Sequence, residues 1–112
     1  MKTKIVHILA ATVLSLHAAA ASAQWAQLSS FQLWSTTYGD EKIRVVPVGV
    51  AVFNPSACPE PDSYFVPTTL PQESQRRIFA TLLTAKTMAR NAIVYLNGCE
   101  SGRPALVTAY VE

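Results

Sequence analysis

Two pairs of carboxylates, Asp40 with Glu41 and Glu60 with Asp62, are the closest that this sequence comes to a general acid/base arrangement. Such a pair could protonate a leaving group and activate a water molecule if the two groups held different protonation states. Both pairs lie in segments rich in turn-forming residues, where acidic side chains are commonly solvated. We therefore assign an acid/base role to neither.

Histidine and lysine give no stronger indication of catalysis. His7 and His17 are the only histidines, and both lie in an N-terminal segment that we expect to be removed. Without them the chain lacks a Ser–His or Cys–His nucleophile and any histidine ligand for zinc. A Ser–Lys dyad would have to use Lys42 or Lys86, and the sequence offers no support for one. We predict a protein that is not an enzyme and that needs no metal or cofactor.

Residues 1–23 have the pattern of a cleavable signal peptide. Lys2 and Lys4 precede an apolar run that ends in Ala-Ser-Ala at residues 21–23, the small-residue pattern that a signal peptidase recognises. The mature chain is then predicted to begin at Gln24 and to be secreted or periplasmic. A retained transmembrane anchor is the alternative, but the run is short and rich in Ala, Ser and Thr.

Removal of this segment changes the charge of the chain. The full sequence has nine Lys and Arg against seven Asp and Glu, and cleavage removes Lys2 and Lys4, which leaves the mature chain formally neutral. A nucleic-acid-binding domain would be expected to carry a basic surface. We therefore expect neither nucleic acid nor, after cleavage, a membrane among its partners.

Residues 24–112 are predicted to form one domain, whose core alone would be marginal at this size. Its two cysteines, Cys58 and Cys99, would enter an oxidising compartment, and we interpret them as one disulfide. Closing a loop of about forty residues stabilises a fold by roughly 4 kcal/mol in the chain-entropy model. Two free thiols are the alternative.

The pattern of the mature chain predicts a mainly β fold with one helix. Pro47 and Gly49 are expected to interrupt the second strand as a bulge or bend, and the three prolines around Cys58 predict a loop. Five strands and one helix in a chain of this length suggest a small five-stranded OB-like barrel with the helix at one end. The predicted strands are Leu28–Tyr38, Ile43–Phe53, Ser63–Val66, Ala92–Leu96 and Pro104–Val111.

One segment, Thr68–Arg90, has helical periodicity. Thr69 followed by Pro71 and Gln72 resembles a capping-box start. An apolar stripe at helical spacing should face the core. The stripe contains Ile78, Phe79, Leu82, Leu83, Lys86 and Ala89.

The candidate binding residues are aromatic and lie on the first predicted strand. Trp34 and Tyr38 share its otherwise polar face by the period-two rule, and Asp40 and Arg44 flank the same hairpin. Exposed aromatics among polar side chains suit a sugar-stacking surface or a protein interface. The alternative is that Trp34 and Tyr38 pack under the helix or against a neighbouring strand.

The stretch Arg77–Val111, with I-F-A-T-L-L-T-A-K, A-I-V-Y-L-N-G-C and P-A-L-V-T-A-Y-V, resembles the C-terminal half of small secreted bacterial OB-fold proteins related to the subtilase cytotoxin B subunit. Membership would imply a disulfide-stapled OB barrel, and for the toxin members a pentameric ring that binds cell-surface glycans. The resemblance does not match any glycan-contacting residue of the toxin to a position in this sequence.

From the aromatic face and this resemblance we predict a secreted or periplasmic module without enzymatic activity that binds a glycan or another extracellular ligand. The alternative is an envelope protein that interacts with or inhibits another protein.

Overall fold

The computed structural model describes residues 24–36 and 42–112. The predicted signal peptide and two predicted site residues, Tyr38 and Asp40, therefore lie outside the described residues. The described chain forms six strands and one helix. In chain order these are β1 (Gln24–Leu28), β2 (Phe31–Ser35), β3 (Ile43–Pro47), β4 (Tyr64–Phe65), α1 (Gln72–Thr87), β5 (Ala92–Glu100) and β6 (Arg103–Val111).

The strands form one open sheet in the order β1-β5-β6-β4-β3-β2. Neighbouring strands are antiparallel except β4 and β6, which run parallel where Phe65 pairs with Ala105. The prediction of a mainly β fold with one helix is confirmed. The details differ from the predicted partly open, five-stranded OB-like barrel, because the described sheet has six strands and is open.

The sixth strand is β1, which precedes the first predicted strand, Leu28–Tyr38, and shares only Leu28 with it. Ser29 and Ser30 form a bend, so that β1 pairs with β5 while β2 pairs with β3. Leu28 and Phe31 lie on either side of the bend, and both are buried in the core. The chain can therefore change partner strand here without exposing either side chain.

The sheet stays open because the second predicted strand stops early. Its ladder ends at Pro47, which has no backbone N–H to donate, and Gly49 has a φ of +81° that extended strands do not adopt. The predicted interruption at these two residues is confirmed. Residues 48–53 join no ladder, and a cavity of about 410 Å³ lies between the chain at Val50–Phe53 and β1.

Helix α1 packs on the inner face of the sheet, mainly against β6. Only part of the predicted stripe is buried: Ile78 and Leu82 reach the core with Ala85, whereas Leu83 is exposed. The capping-box prediction is wrong, since Pro71 is the N-cap and no side chain caps the first turn. In residues 24–36 and 42–112, no helix has both the length and the apolar character needed to cross a membrane.

The predicted disulfide between Cys58 and Cys99 is confirmed, with Cα atoms 5.8 Å apart. It fixes the proline-rich loop to β5. Asn54 holds the loop side of this link, because its side-chain carbonyl accepts from the backbone N–H of Cys58 (2.9 Å) and its amide donates to the Cys58 carbonyl (3.0 Å). The backbone N–H of Gly98 donates to the Ser56 hydroxyl (3.1 Å) beside it.

Replacing both cysteines by alanine should lower the free energy of unfolding by about 2–5 kcal/mol, because the link constrains a long loop in the unfolded chain of a small domain. Urea unfolding under non-reducing conditions measures this change, and reduced wild-type protein is the matched comparison. A loss below about 1 kcal/mol would show that the loop and β5 hold together without the covalent link.

Candidate ligand-binding face

Trp34 lies on the outer face of β2, away from the core. Phe31 and Leu33 point inward, whereas Gln32 and Trp34 point outward, as strand alternation requires. Trp34 is 50% exposed, and its indole N–H donates to the Gln32 side-chain carbonyl at 3.3 Å. The alternative in which Trp34 packs under the helix is therefore wrong.

Arg44 pairs with Trp34 across the β2–β3 ladder and shares its face. Its Nε donates to the hydroxyl of Ser63 (2.9 Å), and its Nη2 lies 3.4 Å from Oδ1 of Asp62. Ser63 is buried and donates in turn to the same carboxylate oxygen at 2.9 Å. The guanidinium is thus held beside the indole by a fixed polar network.

Phe65, the cross-strand partner of Arg44, carries three cations over its ring. The charged groups of Lys42, Arg44 and Arg103 lie 5.1, 5.6 and 5.2 Å from the ring centroid. Each such contact stabilises by about 0.5–1 kcal/mol at an exposed site. We call the outer surface formed by Gln32, Trp34, Arg44 and Phe65 the Trp34 face.

Among the described residues, Asp62 pairs with both Arg44 and Arg103. Arg103 binds it through two bonds, Nε to Oδ1 (3.0 Å) and Nη2 to Oδ2 (3.2 Å), and also contacts Glu60 at 2.9 Å. The Arg103 hydrogen bonds lower the pKa of Asp62 to about 2, helped by the Ser63 hydroxyl and the charges of Arg103 and Arg44, while partial burial opposes them. The carboxylate is therefore ionised wherever the protein is folded near neutral pH.

Two of the four predicted binding residues, Trp34 and Arg44, are brought together as a cross-strand pair. Tyr38 and Asp40 lie outside the described residues. No local pattern indicates Phe65 or Arg103 on this face, because their approach depends on the parallel pairing of β4 with β6. The Glu60 and Asp62 carboxylates, expected to be solvated, are 60% and 52% exposed and also form ion pairs with Arg103.

The structure places both lysines that were considered for a Ser–Lys dyad. Lys42 contacts the Ser101 hydroxyl and lies over the Phe65 ring, and Lys86 donates to the Phe31 carbonyl at 2.7 Å. Within the described residues, no group of three or more His, Cys, Asp or Glu side chains could hold a metal ion.

A second aromatic surface lies on the outer side of β1, β5 and β6. The ring of Trp25 contacts Tyr95 and Tyr110 edge-on, with centroids 4.8 and 5.7 Å apart. Trp25 and Tyr110 are each about half exposed. This group has few charged neighbours and resembles the aromatic centre of a protein interface more than the Trp34 face does.

Replacing Asp62 by Asn should destabilise the fold at neutral pH, because it removes the partner of Arg103 and Arg44. The folded pKa of Asp62, about 2, is below its ordinary 3.8, so its contribution is complete above the ordinary value and is lost as pH falls through about 2. Urea unfolding of the wild type and of Asp62→Asn, from neutral to acidic pH, measures the difference in their free energies of unfolding. This difference should shrink below pH 3.8 and vanish near pH 2.

Because the Asp62 side chain is 52% exposed, added salt should reduce the difference. Glu73→Gln is the matched control, since Glu73 pairs with Arg77 within one helix and both side chains are well exposed. A stability difference for Asp62→Asn that does not change with pH would contradict the ion-pair assignment.

Comparison of the chain with protein-family models, with curated proteins and with solved structures finds no match in any of the three.

Proposed function

We propose that the protein is a secreted or periplasmic binding module without enzymatic activity, and that it binds a glycan on the Trp34 face. The observation that carries this proposal is the half-exposed indole of Trp34 on a polar strand face. Helix α1 packs on the opposite, inner face of the sheet, so nothing in the described chain covers the indole.

A sugar ring has an apolar face of C–H groups and a rim of hydroxyls, so its binding site needs one flat apolar surface and nearby hydrogen-bonding groups. The indole supplies the surface, and its bond to Gln32 restrains its orientation. Arg44 has five N–H donors, of which Ser63 and Asp62 engage only some. The remaining N–H groups can donate to sugar hydroxyls beside the ring.

A site built on one indole and a few hydrogen-bond donors favours weak binding at each copy. Useful retention on a cell surface would then need several copies acting together. The resemblance to toxin B subunits predicts such a ring, and light scattering of the secreted, cleaved protein tests it. A ring of several subunits would favour the glycan proposal, whereas a monomer would favour the protein-interaction alternative.

The group formed by Trp25, Tyr95 and Tyr110 is the specific observation that favours this alternative, an envelope interaction or inhibitor protein. Exposed tryptophan and tyrosine rings are frequent anchors of protein interfaces. If the protein binds its partner through this surface, Trp25→Ala should abolish binding of that partner protein. Trp34→Ala should leave it unchanged.

Replacing Trp34 by alanine should abolish glycan binding while leaving the fold intact. The processed protein, biotinylated and displayed on streptavidin so that avidity does not depend on its own oligomeric state, is applied to a glycan array. The variant should lose about tenfold or more of the apparent affinity, equivalent to about 1.4 kcal/mol of lost stacking. Its free energy of unfolding should change by no more than about 0.5 kcal/mol, as for an exposed side chain.

Trp25→Ala is the matched control, because Trp25 is the other half-exposed tryptophan and lies on a different part of the sheet. It should bind glycans as the wild type does. Failure of the wild type to bind any arrayed glycan would overturn the proposal, and so would equal losses in the two variants.

A further inference from the structure

A cavity of about 460 Å³ opens between helix α1 and the end of the β2–β3 hairpin. Ser35 and Ile43 pair across the hairpin and point to the same side of it as the core residues Leu33 and Val45, opposite to Trp34. Helix α1 closes the cavity from above with one face, since its lining residues follow the spacing of successive turns. They are Gln72, Gln75, Arg76 and Phe79.

The cavity forms beside Ser35, a small residue at an inward-facing position of β2. Phe31 and Leu33 fill the inner side of β2, but the next inward position is Ser35. Phe79, one helical turn before Leu83, remains only partly buried beside this space.

The lining combines one cation with an apolar wall. Arg76 contributes the charge, since the Lys42 ammonium lies over Phe65 on the other side of the hairpin, and no carboxylate lines the cavity among the described residues. Arg76 makes no ion pair or hydrogen bond through its guanidinium in the described chain, whereas its neighbour Arg77 pairs with Glu73 at 3.1 Å. Phe79 and Ile43 form the apolar wall.

We propose that this cavity binds a small organic anion with an apolar body, at a site separate from the Trp34 face. The guanidinium of Arg76 binds the anionic group. The apolar body lies against Phe79 and Ile43, and the Ser35 hydroxyl accepts or donates one hydrogen bond. A volume of this size is within the range of pockets that enclose small ligands.

Naphthalene-2-sulfonate and its neutral analogue naphthalene-2-sulfonamide are probes that differ in charge but share the apolar body. Isothermal titration of the processed protein should show the sulfonate binding about tenfold more tightly, as expected for a charge-assisted contact. Arg76→Gln should weaken sulfonate binding about tenfold and remove the preference, and Arg76→Lys should restore part of it. Phe79→Leu should weaken both probes alike.

Arg90→Gln is the matched control, because it removes the same charge from an exposed position near the other end of the helix. It and Trp34→Ala should leave both affinities unchanged, and amide NMR shifts should concentrate at Ser35, Thr36 and Gln75. Equal affinity for the two probes, equal effects of Arg76→Gln and Arg90→Gln, or no binding at about millimolar probe would overturn the proposal. None of these outcomes depends on whether the Trp34 face binds a glycan.

Discussion

The two halves of the sheet meet at one short junction, the pairing of β4 with β6. In the described chain β4 contains two residues, and Phe65 with Ala105 is its only registered pair with β6. So short a ladder contributes few hydrogen bonds, and the junction depends on links around it. Cys58 and Cys99 join the preceding loop to β5 covalently, and the backbone N–H of Glu60 donates to the Gly102 carbonyl at 2.8 Å.

The same links give the Trp34 face its chemistry. The chain that carries Cys58 continues to Asp62, and the turn after β5 leads to Arg103, so joining these segments brings a carboxylate and a guanidinium together. Their ion pair fixes Asp62, which in turn holds Arg44 next to Trp34. The stability of the junction and the geometry of the Trp34 face therefore depend on one set of contacts.

The sequence allowed prediction of the features that depend on local pattern or composition. Helical spacing identified α1, the two cysteines could pair only with each other, and strand alternation placed Trp34 on the face opposite Leu33. Alternation could not decide whether a helix would cover that face, because this depends on which side of the sheet α1 packs. The contact of Asp62 with Arg103 joins residues 41 positions apart, and no local pattern indicates it.

Strand alternation also explains how one short hairpin can serve two surfaces. Trp34 and Ser35 are adjacent, so their side chains point to opposite sides of the hairpin: one to the solvent above Arg44 and the other to the cavity under α1. Different contacts stabilise the two surfaces. The Trp34 face depends on the ion pairs around Phe65, whereas the cavity depends on the packing of α1, so a substitution such as Asp62→Asn should disturb the first and spare the second.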